Sequence, residues 1–375
     1  MLISLMITGC GASGNVTKTH IEATYTYDDA ATSGDAGVQS ETEEGSADEE
    51  NGDAYPATNP ALALSVPTQI TKIGDFWFIV DCYNDQVIYS DSLDKPLNEW
   101  FIMTKDISRG HTVASDGKVY LVDDTENHRV LVFEYNGASF INTQVFEGIG
   151  TRPHYIVYNE ADKCFYVWSS MTGEMYVFER ENPEPDSADK VNGQEEAKAR
   201  DGSDGVSSKT DPGMSGARGY KGVYISRIMK IDELDGVYVR SFTIDGDRVY
   251  LVSGNSQIIE ARLSDFKILK RYAVPPELAG MIQIMPVTGG YYITISTDVN
   301  GNQDFATIIY TAALSDLEKG QYKDIYSYFV GGGTPYYMGC IDGRYYLTEH
   351  RLPGHSIWSF DIGEDHMPAD VMSVY

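Results

Sequence analysis

The sequence predicts an all-β protein, a six-bladed β-propeller whose blades each contain four antiparallel strands. Its 375 residues include 27 tyrosines and 36 glycines, a composition that suits many strands joined by tight turns. A unit made of an aromatic and aliphatic strand, a polar turn and a second strand recurs six times along the chain. Such repetition of short strands is typical of propellers.

The spacing of the repeats gives the length of one blade. Equivalent positions are Phe76, Val119, Phe165, Val249, Tyr291 and Tyr345. Successive positions are 43, 46, 84, 42 and 54 residues apart, and the longest step contains the low-complexity segment 181–221. Without that segment, each step is about 40–50 residues, the length of a four-stranded blade. The last repeat has little chain left for its outer strand, so we expect Ala61–Pro67 to supply one and close the ring.

The repeats define the predicted domain organisation. Residues 61–375 form the propeller, interrupted by the insertion 181–221. Residues 11–60 contain eleven acidic residues and one lysine with few apolar anchors, which predicts a disordered acidic tether. The insertion has the same character, and a long surface loop costs little closure entropy. It is either inert or a docking segment for a protein partner.

The first ten residues predict a lipoprotein signal segment. A short apolar run ends in "ITGC", which resembles a bacterial lipobox, and the resemblance implies that Cys10 is lipidated after cleavage. No Lys or Arg precedes the run, which departs from the usual signal pattern and leaves open a start further upstream. We therefore expect a cell-surface or extracytoplasmic protein that contacts the membrane through the anchor alone. No other stretch approaches the ~20 apolar residues of a membrane span.

Charge and cysteine content exclude two classes of function. The formal net charge of -28 repels phosphate backbones, so we expect no nucleic-acid partner. Cys82, Cys164 and Cys340 show no metal-ligand spacing and cannot all pair within one chain. We predict that they are buried free thiols.

One repeat carries a family resemblance. The stretch "VYLVDDTENHRVLVFEYNG" is similar to the NHL repeat, and the first repeat keeps part of the same pattern. The matching residues are Tyr120, Asp124, Asn127, Arg129, Val130 and Phe133, with Asp81, Asn84 and Val87 in the first repeat. The resemblance implies a propeller, but NHL-like propellers include partner-binding modules, lactonases and lyases, so it does not select a function. Gluconolactonase-type propellers hold calcium with acidic and Asn side chains in the channel, which the positions below lack.

Polar residues are predicted at the start of each innermost strand, where loops from all blades converge. Counting back eight residues from the equivalent strand positions, with three more for the longer turn of the third repeat and a one-residue shift in the first, gives Gln69, His111, His154, Ser241, Gln283 and Tyr337. The triplets "RGH" (109–111) and "RPH" (152–154) repeat in adjacent blades and add Arg109 and Arg152. A wet channel explains polar residues as well as a ligand site does. The candidate ligand-binding residues are Arg109, His111, Arg152, His154, Ser241, Gln283 and Tyr337.

These residues predict recognition of an acidic small molecule, sugar or peptide. Arginine offers a planar fork for carboxylate or phosphate, and histidine a partly protonated donor. Arg129, Arg240, His350, Arg351 and His355 are expected nearby. The alternative role of the arginines is to pair with Asp81, Asp123, Asp124 or Glu126 and tie the blades together.

Two other functions stay open. A metal-dependent lyase or hydrolase would place a divalent ion between His111 and His154, with a third ligand from His128, His350 or His355. No cofactor is favoured, and no catalytic residue can be assigned. The third possibility is a protein-interaction scaffold.

Overall fold

The computed structural model describes residues 56–180, 222–253, 257–296, 306–329, 333–350 and 356–375. The predictions for residues 1–10 and for the insertion 181–221 lie outside these ranges, as does most of the predicted tether. The described chain forms six four-stranded antiparallel sheets whose innermost strands contact one another around a ring. The predicted six-bladed β-propeller is confirmed.

Each blade is built from one continuous part of the chain. Blade 1 contains β1 (Pro67–Ile73), β2 (Phe76–Asp81), β3 (Gln86–Ser90) and β4 (Phe101–Thr104); blade 2 contains β5 (Val113–Ser115), β6 (Val119–Asp124), β7 (Arg129–Tyr135) and β8 (Phe140–Glu147); blade 3 contains β9 (Pro153–Asn159), β10 (Cys164–Ser169), β11 (Glu174–Arg180) and β12 (Val223–Lys230). Blade 4 contains β13 (Val239–Asp245), β14 (Arg248–Ser253), β15 (Gln257–Arg262) and β16 (Ile268–Ala273); blade 5 contains β17 (Met281–Val287), β18 (Gly290–Ile295), β19 (Thr307–Thr311) and β20 (Lys323–Asp324); blade 6 contains β21 (Thr334–Ile341), β22 (Arg344–His350), β23 (Ile357–Ile362) and β24 (Pro368–Ser373). Short 3-10 helices among the described residues are Cys82–Asn84, Leu97–Glu99, Asp232–Leu234, Pro276–Leu278, Leu314–Lys319 and Tyr326–Tyr328. None of the described helices has the length and apolar character needed to cross a membrane.

The hydrophobic core lies between neighbouring blades. Phe78 and Val80 of β2 pack with Tyr120 and Val122 of β6 in one buried cluster. Because both faces of a blade are covered by its neighbours, the middle strands read as continuous apolar runs rather than alternating ones. The insertion 181–221 joins β11 to β12, whose ends Arg180 and Val223 are paired.

The expected strand exchange is wrong. Blade 6 has its own outer strand, β24, and Pro67 begins the innermost strand of blade 1. The preceding residue Thr58 instead pairs with Phe101 at the outer edge of β4. The ring is therefore closed by side chains and packing between blades 6 and 1, with every blade complete in itself.

Two sets of hydrogen bonds make this closure. Near the channel, Thr348 Oγ1 donates to the carbonyl oxygen of Thr68 at 2.9 Å. At the periphery, the Tyr375 hydroxyl lies 2.6 Å from the carbonyl oxygens of Leu93 and Lys95 and accepts from Trp100 Nε1 at 3.0 Å. Trp100 is fully buried, so the C-terminal residue is anchored in blade 1.

Candidate functional site

The register of the innermost strands places the two histidines one residue nearer the strand start than the other predicted polar residues. In blade 3, Pro153 pairs with Ser169 and Tyr155 with Trp168, which leaves His154 in a β-bulge between them. The same irregularity follows Pro67, Val239, Met281 and Pro335. The residues equivalent to His154, which we call the mouth ring, are Thr68, His111, Arg240, Ile282 and Tyr336 together with His154 itself.

The sequence-based alignment was therefore wrong by one residue in four blades. Gln69, Ser241, Gln283 and Tyr337 lie one position further along their strands than the mouth ring. In blades 4 to 6 the reference residues Val249, Tyr291 and Tyr345 lie four residues before the position paired ahead of the bulge, whereas Phe76 lies five residues before Asp81. In blade 1 the one-residue shift that gave Gln69 was unnecessary.

The deeper positions hold blades together. Ser241 Oγ donates to the carbonyl oxygen of Ile282. Gln283 makes two hydrogen bonds to the backbone of Met338. Its Nε2 donates to the carbonyl oxygen at 3.0 Å, and its Oε1 accepts from the nitrogen at 2.6 Å. Gln69 Oε1 accepts from the Val113 nitrogen at 2.7 Å. These side chains join adjacent blades, and the role of Ser241 and Gln283 in ligand binding stays a prediction.

His111 and His154 form the centre of the mouth ring. Their rings stack with centroids 3.6 Å apart and an interplanar angle of 24°. Tyr336 stacks with His111 at 5.9 Å and its hydroxyl lies 3.5 Å from His154 Nε2, while Tyr238 meets His154 edge-on at 5.8 Å. Four aromatic rings thus lie together here.

The hydrogen-bond network assigns the proton of His154. Its Nδ1 lies 3.1 Å from the Tyr337 hydroxyl, which also lies 3.2 Å from the carbonyl oxygen of Arg240. A hydroxyl has one proton, so donation to Arg240 leaves Tyr337 to accept from Nδ1–H. Nε2 then accepts from the Tyr238 hydroxyl at 3.1 Å.

Residues of blade 2, to which His111 itself belongs, hold its imidazole in place. Its Nδ1 lies 2.9 Å from Thr125 Oγ1, which in turn lies 2.9 Å from Asp123 Oδ2. The fully buried Asp123 also accepts from the backbone nitrogens of His111 and Thr112 at 2.9 and 2.7 Å. The carboxylate therefore orients the imidazole through Thr125.

Burial keeps both imidazoles neutral. It lowers the pKa of His111 although Asp123 raises it, and it lowers the pKa of His154 well below its usual value. The neighbouring His111 ring and the guanidinium groups of Arg152 and Arg240 lower the pKa of His154 further. A positive potential at His154 is the cause of this second effect.

Cys82 completes the surroundings of His111. Its sulfur lies 3.9 Å from His111 Nε2. Burial raises the pKa of this thiol well above its usual value, so it stays protonated and unreactive. Cys164 is also a buried free thiol, as predicted, whereas Cys340 is free but exposed, which corrects the prediction for that residue.

Arg109, two residues before His111, holds its guanidinium over the face of Tyr83. The distance from Cζ to the ring centroid is 3.9 Å. Its Nη1 is buried and has no hydrogen-bond partner among the described residues. The backbone is left-handed at Arg109 (φ 56°), at Arg152 (φ 59°) and also at the equivalent Val66 (φ 61°), so this conformation belongs to the turn rather than to the charge.

The contacts of the other arginines bear on the two predicted roles, ligand recognition and tying the blades together. Arg152 pairs with Glu126 at 2.6 Å and lies 5.9 Å from the Tyr238 ring, which Arg240 approaches to 5.2 Å. Arg129 pairs with Asp124 at 2.5 Å and with Asp106 at 3.0 Å, so it ties its turn as the structural alternative predicts. His350 lies beside Tyr83, with ring centroids 5.5 Å apart; Arg351 and His355 lie outside the described residues.

The geometry of the histidine pair bears on the metal hypothesis. The lone pairs of an imidazole lie in the ring plane, and two stacked rings direct theirs along separate planes. All four ring nitrogens also have contacts within the protein. Within the described ranges, no group of three or more His, Cys, Asp or Glu residues is arranged to hold a metal ion.

Several site residues were not identified from the sequence: Tyr83, Asp123, Thr125, Tyr238, Arg240 as a ring member, and Tyr336. Asp123 was considered only as a possible arginine partner. The triplet "YVR" at 238–240 occupies the place of "RGH" and "RPH", and aligning it with them would have found two of these residues.

Comparison with known proteins finds only distant structural similarities. No protein-family model matches the chain, and no curated protein matches it in sequence. Streptogramin B lyase is 10% identical with a TM-score of 0.49, over 85% of this chain and 86% of that one. A Bacteroides fragilis protein with a provisional 6-phosphogluconolactonase assignment is 13% identical with a TM-score of 0.49, over 82% and 84%. A Lactobacillus plantarum protein is 11% identical with a TM-score of 0.43, over 83% and 80%. At these identities nothing about activity follows.

Proposed function

We propose that the mouth ring and the arginines around it bind a small acidic molecule, such as a sugar acid or an acidic peptide, without covalent chemistry. The observation that carries this proposal is the buried Nη1 of Arg109, which has no hydrogen-bond partner among the described residues. A buried charged donor without an acceptor is costly. A carboxylate or phosphate oxygen beside Arg109 would remove that cost.

Charge around the histidines supports an anionic ligand. Arg152 and Arg240 lower the pKa of both His111 and His154, and Arg109 lies over the nearby Tyr83. The chain as a whole carries a formal charge of -28. A local positive cluster within an acidic surface concentrates anions at one place.

Aromatic faces support a ligand with a flat or cyclic body. Tyr83 is 38% exposed and lies under Arg109, and Tyr238 is partly exposed beside Arg152 and Arg240. Tyrosine rings at a site's edge offer an apolar surface for a sugar ring or a peptide side chain, with a hydroxyl for hydrogen bonds.

The test is calorimetric titration of the full chain with D-galacturonate and with D-galactose, which lacks the carboxylate. The panel extends to gluconate and acidic dipeptides, each beside its neutral counterpart. We expect the acids to bind and their neutral counterparts to bind far more weakly or not at all. Arg109→Gln should weaken binding by about 10- to 100-fold, because a hydrogen bond to a charged group contributes about 1.5–3 kcal/mol.

Arg271→Gln is the matched control. Arg271 pairs with Glu233 at 2.6 Å on the outer strand of blade 4, away from the innermost strands, so its removal should leave affinity unchanged. Unchanged affinity in Arg109→Gln would place the ligand elsewhere. Binding of no acid in the panel would overturn the proposal.

We further propose that the protein works at the outer side of a bacterial membrane, anchored through Cys10. Support comes from the "ITGC" motif followed by an acidic, Ser- and Gly-containing segment of the composition expected for a spacer.

A further inference from the structure

A cavity of about 160 Å³ lies beside the innermost strands of the first and last blades and reaches Tyr155 of blade 3, and no mouth-ring residue lines it. Residues 69–71 of β1, residues 337–341 of β21 and Tyr155 line it. Tyr337 is 4% exposed and its hydroxyl contacts His154, so it forms the partition between this seam cavity and the mouth. Exposure increases along β21 to Cys340, which is exposed. The seam cavity therefore opens away from the arginines.

The lining is polar and apolar in equal parts and carries no charged side chain. Gln69 uses Oε1 to accept from Val113, which leaves the Nε2 donor available. The Tyr155 hydroxyl accepts from Gln283 Nε2 at 3.1 Å, which leaves its own proton to donate. Thr71 adds a hydroxyl, and Ile70, Met338 and Ile341 supply apolar surface.

Gly339 is the reason for the open space. A Cβ built on this residue would meet no atom within 4 Å, and its φ lies outside the left-handed region. The backbone therefore does not require glycine here, since a side chain would fit without strain. The absence of a side chain keeps the cavity open.

We infer that the seam cavity is a second binding site, for a small uncharged molecule that carries hydroxyl or carbonyl groups, such as a short polyol. At about 30 Å³ per water, the cavity holds about five waters, or one molecule the size of glycerol or erythritol. Its unused donors match hydroxyl oxygens. A carboxylate would enter without a cation to pair with, which is unfavourable. The site differs from the mouth in the charge of its ligand, so the two proposals fail independently.

Alkylation of Cys340 in the full chain tests this inference. Iodoacetamide is small and uncharged, and peptide mass spectrometry reads its reaction at each cysteine separately. We expect erythritol to slow alkylation of Cys340 in a saturable way, whereas erythronate, the acid of the same skeleton, leaves the rate unchanged. Sucrose at equal mass concentration is too large for the cavity and controls for general osmolyte effects. The buried Cys82 and Cys164 report any unfolding.

Two variants distinguish binding of erythritol in the seam cavity from the accessibility of Cys340 to iodoacetamide. Gly339→Leu should fill the cavity and abolish protection by erythritol. Thr71→Val keeps the volume, so alkylation without erythritol should be unchanged while protection weakens. The inference is overturned if erythritol protects no more than sucrose does, or if it protects Gly339→Leu as well as the unaltered chain. Should Gly339→Leu fail to fold, the response of Thr71→Val decides.

Discussion

His111 and His154 stack face to face, with ring centroids 3.6 Å apart, although they come from different blades. They meet because each stands two residues after a left-handed arginine at the start of its blade, His154 in the bulge of β9 and His111 just before β5, and adjacent innermost strands are neighbours around the channel. Both rings are buried, at 7% and 1% exposure. Charge on either ring would be unfavourable, because it would be desolvated and would lie against its partner.

The first prediction concerns pH. Burial lowers the pKa of both histidines, whereas in the unfolded chain each titrates near 6.5. Below about pH 6.5 the unfolded chain binds more protons than the folded one, so the free energy of unfolding decreases as pH falls, by up to about 1.4 kcal/mol per pH unit for each histidine. Urea unfolding at pH 7.5, 6.5 and 5.5 measures this, and His154→Gln should flatten the dependence.

Asp81 has the opposite effect on how the free energy of unfolding depends on pH. Burial raises its pKa to about 6, so its protonation favours the folded state as pH falls from about 6 towards its usual value of 3.8. The difference between the unaltered chain and His154→Gln isolates the histidine contribution. His366→Gln, on the partly exposed turn before β24, is the control. An identical pH dependence in all three proteins would contradict the neutral stack.

The second prediction concerns ring closure. Tyr375→Phe removes the hydroxyl that contacts Leu93, Lys95 and Trp100 and leaves the ring in place. We expect a loss of about 0.5–1.5 kcal/mol in the free energy of unfolding, because a part-buried hydrogen bond is lost while Trp100 Nε1 keeps the Lys95 carbonyl oxygen at 3.1 Å. Chemical denaturation measures it. Tyr322→Phe, which removes an exposed hydrogen bond to Glu277, should change stability little; equal losses in the two variants would show that the seam bond is not special.

The third prediction concerns Cys10. Expressed in a bacterial host, the full chain should incorporate an alkyne-labelled fatty acid and fractionate with membranes, because a lipidated cysteine supplies the anchor. Cys10→Ala should abolish both signals, and Cys340→Ala should abolish neither. Labelling that persists in Cys10→Ala, or its absence from the unaltered chain, would contradict the anchor.

The titrations at the mouth and the alkylation of the seam cavity complete the set of tests. Their ligands differ in charge. Arg109→Gln addresses only the first site and Gly339→Leu only the second.

The sequence by itself determined the number of blades, their strands and the pair of repeated triplets, because each blade is a local unit whose hairpins follow from short-range apolar pattern and turn residues. Only the tertiary structure decided which residue at the start of each blade belongs to the mouth ring. Which side chain belongs to the mouth ring depends on the pairing register between the innermost strand and its neighbour, and a count along the apolar pattern does not give that register to the residue. For this reason Tyr336 and Arg240, rather than Tyr337 and Ser241, belong to the mouth ring. Closure through Tyr375, the pairing of Arg129 and the unpartnered Nη1 of Arg109 likewise depend on contacts between residues distant in sequence, and no local pattern encodes such contacts.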